Sequence, residues 1–204
     1  MLFSKSERIL IKTSPLLDLS LGIDELRKVV EVHIIAVNNE VKELLWVLNR
    51  NITHQIKIKT INISKNNTQV FEGYFGENQS QLDYKLPLKF LYEPNAAIMK
   101  SGLFGVLADE TKTYKLHSNS HLYTSEELMP FPGRSFIIQQ MLPYHKKSLK
   151  KALKLKKANI TTRNFPRSVS EIRKELKLED GGSDYIFFTT DLNEDKIVLV
   201  CKKV

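Results

Sequence analysis

The sequence predicts an α/β fold followed by an α+β fold, and three observations carry that prediction. Between Arg8 and Phe75, strand-like and helix-like stretches alternate, which is the rhythm of an α/β sheet. A polar stretch rich in Asn, Gln and Ser, residues 76–85, then reads as a linker. Beyond the Phe131-Pro-Gly-Arg134 turn, a lysine-rich segment leads into a capped helix and a β-hairpin.

Taken in order, Arg8–Thr13 predicts a short buried strand, and Pro15 ends it because proline cannot continue a central ladder. Residues 22–29 predict a helix with Ile23 and Leu26 on one side. Residues 31–37, almost wholly apolar, predict a strand covered on both faces. After Asn38-Asn39, residues 40–48 predict a second helix with Val41, Leu44, Leu45 and Leu48 inward and Glu43 on its solvated side. Ile56, Ile58 and Ile61 mark a strand, and residues 69–75 another. Trp46, the single tryptophan, is expected to pack at a domain interface.

In the second half, residues 88–93 predict a strand and 94–107 a helix, with Pro94 in its first turn. Two short strands, 114–116 and 121–124, precede a longer one at 135–141. Residues 146–157 predict a helix with Leu149, Ala152 and Leu153 inward, and the chain from 157 to 167 reads as loop. Ser168 is an N-cap, and Glu171 completes a capping box. Val169, Ile172 and Leu176 form the apolar face of that helix, which Gly181-Gly182 ends. Residues 185–190 and 197–201 are β-branched and aromatic runs separated by a polar turn, so they read as a hairpin.

Composition narrows the function classes. With 42% hydrophobic and 26% charged residues, 204 residues can build a sizeable core. No apolar run is long enough to span a bilayer and no signal-peptide pattern opens the chain, so the reading is cytoplasmic with no membrane partner. Cys201 is the single cysteine: it excludes an internal disulfide and reads as a small core residue. His117 and His121 lie close together without an accompanying cysteine, which disfavours a zinc site. No nucleophile and base occur at a motif spacing, which argues against a self-contained enzyme.

Charge is uneven. Residues 145–177 hold twelve Lys or Arg against Glu171 and Glu175, about +10 in a chain whose net charge is +8. Such asymmetry points to a polyanion, nucleic acid first and an acidic membrane surface second. Arg163 and Arg167 stand just before the capped helix, where free backbone N–H groups favour an anion. Together with Lys146, Lys147, Lys150, Lys151, Asn164, Arg173 and Lys174 they form the expected RNA-binding set. The competing reading is a solvated basic helix. Tyr144 and Phe165 are candidates to stack on bases, Phe165 equally to sit in the core beside Pro166. Ser14, Pro15 and Asp18, and likewise Asn39 and Glu40, fall at strand ends, where they either border a substrate cleft or serve as caps and turns.

Two segments also carry a resemblance. Ile9-Leu-Ile-Lys-Thr-Ser-Pro-Leu-Leu-Asp18, followed by Val32-His-Ile-Ile-Ala-Val-Asn-Asn-Glu-Val-Lys-Glu-Leu-Leu45, resembles the C-terminal half of bacterial class I S-adenosylmethionine-dependent methyltransferases. These are RNA-modifying enzymes related to the cap guanine-N2 methyltransferases. Where that family reads Asn-Glu-Cys-Lys-Glu-Leu, this chain has Val41, which argues against a thiol role there. Tyr92-Glu-Pro-Asn-Ala-Ala-Ile98 with 115–125 is similar to the family's ferredoxin-like module. Asn159-Ile-Thr-Thr-Arg-Asn-Phe-Pro166 with Asp180-Gly-Gly182 is similar to its THUMP-like domain.

The resemblance implies three parts: residues 1–75 from a partial Rossmann-like methyltransferase sheet, 86–129 a ferredoxin-like module, and 130–204 a THUMP-like α+β domain. The family's glycine-rich cofactor turn and its Asp-Pro motif have no counterpart here. The chain is therefore expected to be part of a longer or truncated product that binds no S-adenosylmethionine and transfers no methyl group alone, although the full-length family uses that cofactor. Expected partners are RNA (transfer or ribosomal), the N-terminal methyltransferase half, and a second copy paired through an exposed sheet edge. The alternative is a protein-interaction domain whose basic face docks an acidic partner.

Overall fold

The computed structural model describes residues 2–51, 55–77, 82–145, 149, 152–153 and 155–204. The chain forms two compact units, one of residues 1–80 and 94–107, the other of 81–93 and 108–204. Each is built on its own sheet, and the fold is mixed α/β. Residues 86–129 and 130–204, drawn as separate domains from the sequence, contribute strands to the same sheet.

The first unit holds a five-stranded sheet in the order β1 (Arg8–Thr13), β3 (Glu40–Asn49), β2 (Val29–Val37), β4 (Lys57–Ile63), β5 (Thr68–Tyr74). Strands β1 and β2 each run antiparallel to β3, and β2 is parallel to β4, so β1, β2 and β4 share one direction. Helices α1 (Leu19–Leu26) and α2 (Ala96–Ser101) belong to the same unit. Trp46 is fully buried, and its indole N–H donates to Thr13 Oγ1 of the same unit at 2.8 Å. Helix α1 approaches Trp46 so closely at Gly22 that a Cβ there would lie 2.3 Å from the ring.

Residues 40–48 are strand, not helix. Their apolar spacing satisfies a helical template, but Leu44, Trp46 and Leu48 also alternate onto one strand face, and all three are buried. The turn decides between the two. Asn38 and Asn39 have φ of 50° and 64°, and Val37 pairs with Glu40 around them. Two residues at positive φ make a tight hairpin turn whose twist matches that of the flanking strands. Glu43 consequently pairs with Lys12 on the neighbouring strand at 3.0 Å. Strand β2 buries Val32, Ile34 and Ala36 on one face, while Glu31, His33 and Ile35 on the other are only half-buried, so it is not covered on both faces as expected.

The second unit holds a seven-stranded sheet. Its order is β10 (Asn159–Arg163), β11 (Asp184–Thr190), β12 (Lys196–Lys203), β9 (Gly133–Pro143), β6 (Phe90–Pro94), β8 (Tyr123–Ser125), β7 (Tyr114–Lys115). Successive residues of β11 point to opposite faces. Ile186 and Phe188 enter a cluster with Leu149, Leu153, Ile160 and Ile172, and Phe187 enters another with Leu91, Phe136, Leu199 and Cys201. Burial pushes the Cys201 thiol up to about 12, as befits a core residue.

Several local expectations change here. Residues 159–163, read as loop, form β10, which the β-branched Ile160, Thr161 and Thr162 favour. The predicted helix at 94–107 is two helices, α2 and α3 (Phe104–Thr111), broken where Gly102 turns left-handed at φ 74°. Asn95 rather than Pro94 starts α2, accepting from the Ile98 N–H at 3.1 Å. Helix α4 (Val169–Leu176) ends at Lys177, φ 56°, short of Gly181. Ala152 is exposed, while Leu149 and Leu153 point inward as expected.

Candidate nucleic-acid interface

Strand β10, helix α4 and strand β11 form a parallel crossover, and the candidate interface starts at the carboxyl end of β10. Arg163 is the last residue of that strand, opposite Thr189, and Asn164 follows at φ 49°. An asparagine tolerates this left-handed conformation better than most residues do. The turn is fixed from behind, because Thr190 Oγ1 donates to the Asn164 carbonyl.

Arg163 does not project freely. One guanidinium nitrogen donates to Glu93 Oε1 at 2.9 Å, and Arg134 Nε donates to Glu93 Oε2 at 2.8 Å. Only 5% of the Glu93 side chain is exposed, against 32% and 38% for the two arginines. A buried carboxylate thus holds two guanidiniums by charge-assisted bonds, leaving the trio one positive charge in excess.

Asn164 turns the other way. Its amide nitrogen lies 2.9 Å from His117 Nδ1, and His117 Nε2 lies 2.7 Å from Glu194 Oε1. His121, nearby, has its pKa lowered to about 4 by burial and then by the charges of Lys115 and Arg163, so it is neutral at physiological pH. Burial likewise lowers the Lys115 ammonium to about 8, and its Nζ donates to the Ser118 carbonyl at 2.9 Å. His117 and His121 therefore have distinct surroundings. Among the described residues, no group of three His, Cys, Asp or Glu sits together to hold a metal.

The amino end of α4 carries its own anion. Glu171 Oε2 accepts from the Ser168 N–H and from Ser168 Oγ, both at 2.8 Å, while Ser168 Oγ accepts from the Glu171 N–H at 3.3 Å. The capping box read from the sequence forms, and it fills the position where an external phosphate was expected. Arg167 pairs with Glu175 at 3.1 Å and Glu171 at 3.5 Å. Arg173 donates to the Ala158 carbonyl at 3.1 Å and pairs with Asp180. Lys174 and Lys177 are exposed on the last turn.

Lys146, Lys147, Lys150 and Lys151 lie outside the described residues. Tyr144 and Phe165 meet edge-on at 4.9 Å and, partly buried, pack against the core cluster, which gives both a packing role. Sequence reasoning missed Glu93, Arg134 and Glu194. A carboxylate inside an apolar strand was the available signal for Glu93; nothing local marks the other two.

In the first unit, the cleft-border candidates gather at one end of the sheet, beyond the carboxyl ends of β1 and β2. Asp18 caps α1 by accepting from the Leu21 N–H at 3.1 Å, and Ser14 Oγ accepts from the Leu16 N–H at 3.2 Å. Pro15 follows in the turn between β1 and α1. Asn39 Oδ1 accepts from the Ala96 N–H at 2.7 Å, and the Asn39 N–H donates to Asn62 Oδ1 at 3.0 Å, which fastens the hairpin turn to the start of α2. Glu40 pairs at the surface with Lys42. Each has a structural role in the turn or cap it occupies.

Comparison with known proteins places these two units. No curated protein matches the sequence. Residues 133–203 match the family described as THUMP domain-like, and 90–132 match a ferredoxin-like domain. The crystal structure of a "putative methyltransferase" from Porphyromonas gingivalis W83 is similar over 97% of this chain, with a TM-score of 0.91 and 35% identity. The match covers 51% of that protein, so this chain spans about half its length. No helix among the described residues is long and apolar enough to cross a membrane. The chain thus carries a ferredoxin-like and a THUMP-like domain and, over nearly all its length, is built like part of the Porphyromonas gingivalis protein.

Proposed function

We propose that this chain is the RNA-binding and scaffolding part of a class I S-adenosylmethionine-dependent RNA methyltransferase. The carrying observation is the likeness over 97% of the chain to the Porphyromonas gingivalis protein, joined to the THUMP-like match, which suggests RNA binding. Sheet geometry supports the Rossmann-like reading of the first unit. Strands β1, β2 and β4 share one direction, and Ser14–Asp18 and Asn39–Glu40 lie beyond their carboxyl ends, where open α/β sheets bind ligands. Cofactor binding would then need residues outside these 204. Strand β1 is an edge strand with Leu10 exposed, which fits pairing with a second copy.

RNA is assigned to the second unit, through Lys174 and Lys177 on the last turn of α4, Arg173 and Arg167 on that helix and at its entry, Arg163 and Asn164 at the carboxyl end of β10, and Lys146, Lys147, Lys150 and Lys151 on the preceding segment. Phosphate contacts of this kind position RNA without reading its sequence. Structured RNA titrated at several salt concentrations tests the assignment. Each phosphate contacted on a single strand steepens the slope of log affinity against log salt by about −0.7, and Lys174→Glu with Lys177→Glu should weaken unrelated RNAs alike. These two are cleaner probes than Arg163, whose reversal would place a second carboxylate against Glu93. Unchanged affinity in the double variant with a slope near zero would favour the protein-docking reading. Titration with S-adenosylmethionine is expected to show no saturable binding by this chain alone.

A further inference from the structure

We infer that the second unit holds a pocket for one unpaired RNA base, guanine by its hydrogen-bonding edge, seated against Tyr84 and Leu192 and read by the Glu194 carboxylate. The inference rests on the RNA-binding reading above and gives that reading a base-specific contact. A cavity of about 380 Å³ is lined by Tyr84, His117, Ser118, Leu192 and Glu194. Its two apolar lining residues remain 39% and 38% exposed, for Tyr84 and Leu192 respectively. A ring and a branched aliphatic beside a carboxylate suit a flat ligand with N–H donors on its edge.

Glu194 is held for that task. The backbone N–H of Asn119 donates to His117 Nδ1 at 3.0 Å, and an amide N–H can only donate, so Nδ1 is an acceptor and the ring hydrogen is on Nε2. Nε2 therefore donates to Glu194 Oε1. This hydrogen bond is the main cause holding the Glu194 carboxyl below its ordinary range, so it is a pure acceptor at neutral pH. Among the described residues only His117 bonds the carboxylate, and the side chain is 73% exposed, which leaves its second oxygen open to a ligand.

Backbone geometry points to the same place. His121, Asn164 and Glu194 all have positive φ, at 50°, 49° and 65°. Asn164 and Glu194 both bond His117, and His121 lies at the end of the same 117–121 loop. The Glu194 turn is clamped by Asp191, 4% exposed, whose Oδ1 accepts from the N–H groups of Asn193 at 2.9 Å and Asp195 at 3.1 Å. These left-handed turns fix the course of the loops that bring Asn164 and Glu194 to His117.

Among the bases, guanine alone presents N1–H and N2–H₂ side by side to a carboxylate. Uracil offers one N–H, while adenine and cytosine offer an exocyclic amine beside an acceptor that the carboxylate would repel. In a duplex these groups are used in pairing, so the ligand is a base from a loop, bulge or end.

The test uses the 204-residue chain and fluorescently labelled hexamers of uridine with one central G, inosine, A, C or U. Central G should bind about tenfold tighter than central A, as one base contact allows, with inosine between them because it lacks the N2 amine. Glu194→Gln should abolish the preference for central G over central A, and Tyr84→Ala should weaken the central-G oligomer most; thermal melts confirm that both variants fold. Hexamers bound without preference, a preference for another base, or a G preference that survives Glu194→Gln would overturn the pocket and leave RNA binding standing. No binding of any oligonucleotide would overturn both readings.

Discussion

The two sheets carry the same electrostatic motif in different settings. In the first unit, Glu72 on β5 sits between Lys57 and Lys59 on β4, at 2.5 and 3.0 Å, with all three side chains 35–40% exposed. In the second, Glu93 on β6 sits between Arg134 and Arg163, with its own side chain 5% exposed. One carboxylate and two cations make up each. Water competes for every partner of Glu72, and salt screens the pairs. Glu93 has lost its water and depends on the two guanidiniums, whose planar forks can also bond a carboxylate in fixed geometry. Burial therefore converts a surface decoration into a fixed joint, and Arg163 is a structural residue before it is a ligand for phosphate.

Breaking the buried joint should give the largest effect. Glu93→Gln removes the charge that Arg134 and Arg163 share but keeps the shape, and should destabilise the chain by about 3 kcal/mol. Equilibrium urea denaturation measures this directly. A midpoint equal to that of the unaltered chain would mean that solvent already satisfies both arginines.

The same contrast explains what could be read from the sequence. The capping box at Ser168 and Glu171, the hairpin of β11 and β12, and the boundaries of β1 are consequences of residues adjacent in the chain, and the sequence reading agrees with them. Residues 40–48 were ambiguous because their apolar positions fit both a helix and a strand; the deciding signal was the pair Asn38-Asn39, which needs positive φ twice. The candidate site was legible only in part. Arg163 and Arg167 were found by their place before a helix, but Glu93, the partner of Arg163, is set by tertiary packing and lies 70 positions away in the chain. His117 and Glu194 lie 77 residues apart, and no local pattern announces that they meet.

A titration sharpens the comparison through His121, which the charge of Arg163 helps keep neutral. Its pKa is lowered from 6.5 to about 4, mainly by burial. Between those two values the unfolded chain binds more protons than the folded one, so folding stability rises with pH across the window and falls as pH drops from about 6.5 toward 4. Replacing His121 with Asn, which also tolerates left-handed backbone, should flatten this limb. Stability measured by denaturant at pH 4.5, 5.5 and 6.5 checks it, and an unchanged slope would assign the acid limb to other groups.

The smallest effect belongs to the exposed motif. Glu72→Gln should leave the denaturation midpoint unchanged within error at physiological salt. The hydrogen bonds from Lys57 and then Lys59 keep the Glu72 carboxyl below its ordinary range, so what stability the pairs do give is present above the usual carboxylate pKa and is lost as pH falls through the lowered one. At low ionic strength, where screening weakens, a small loss should emerge in the variant and vanish again when salt is added. The Glu93→Gln loss should respond far less to salt, because its carboxylate is out of water. If both variants lost the same stability and showed the same salt response, burial would not be what separates the two motifs, and the difference would have to come from arginine against lysine instead.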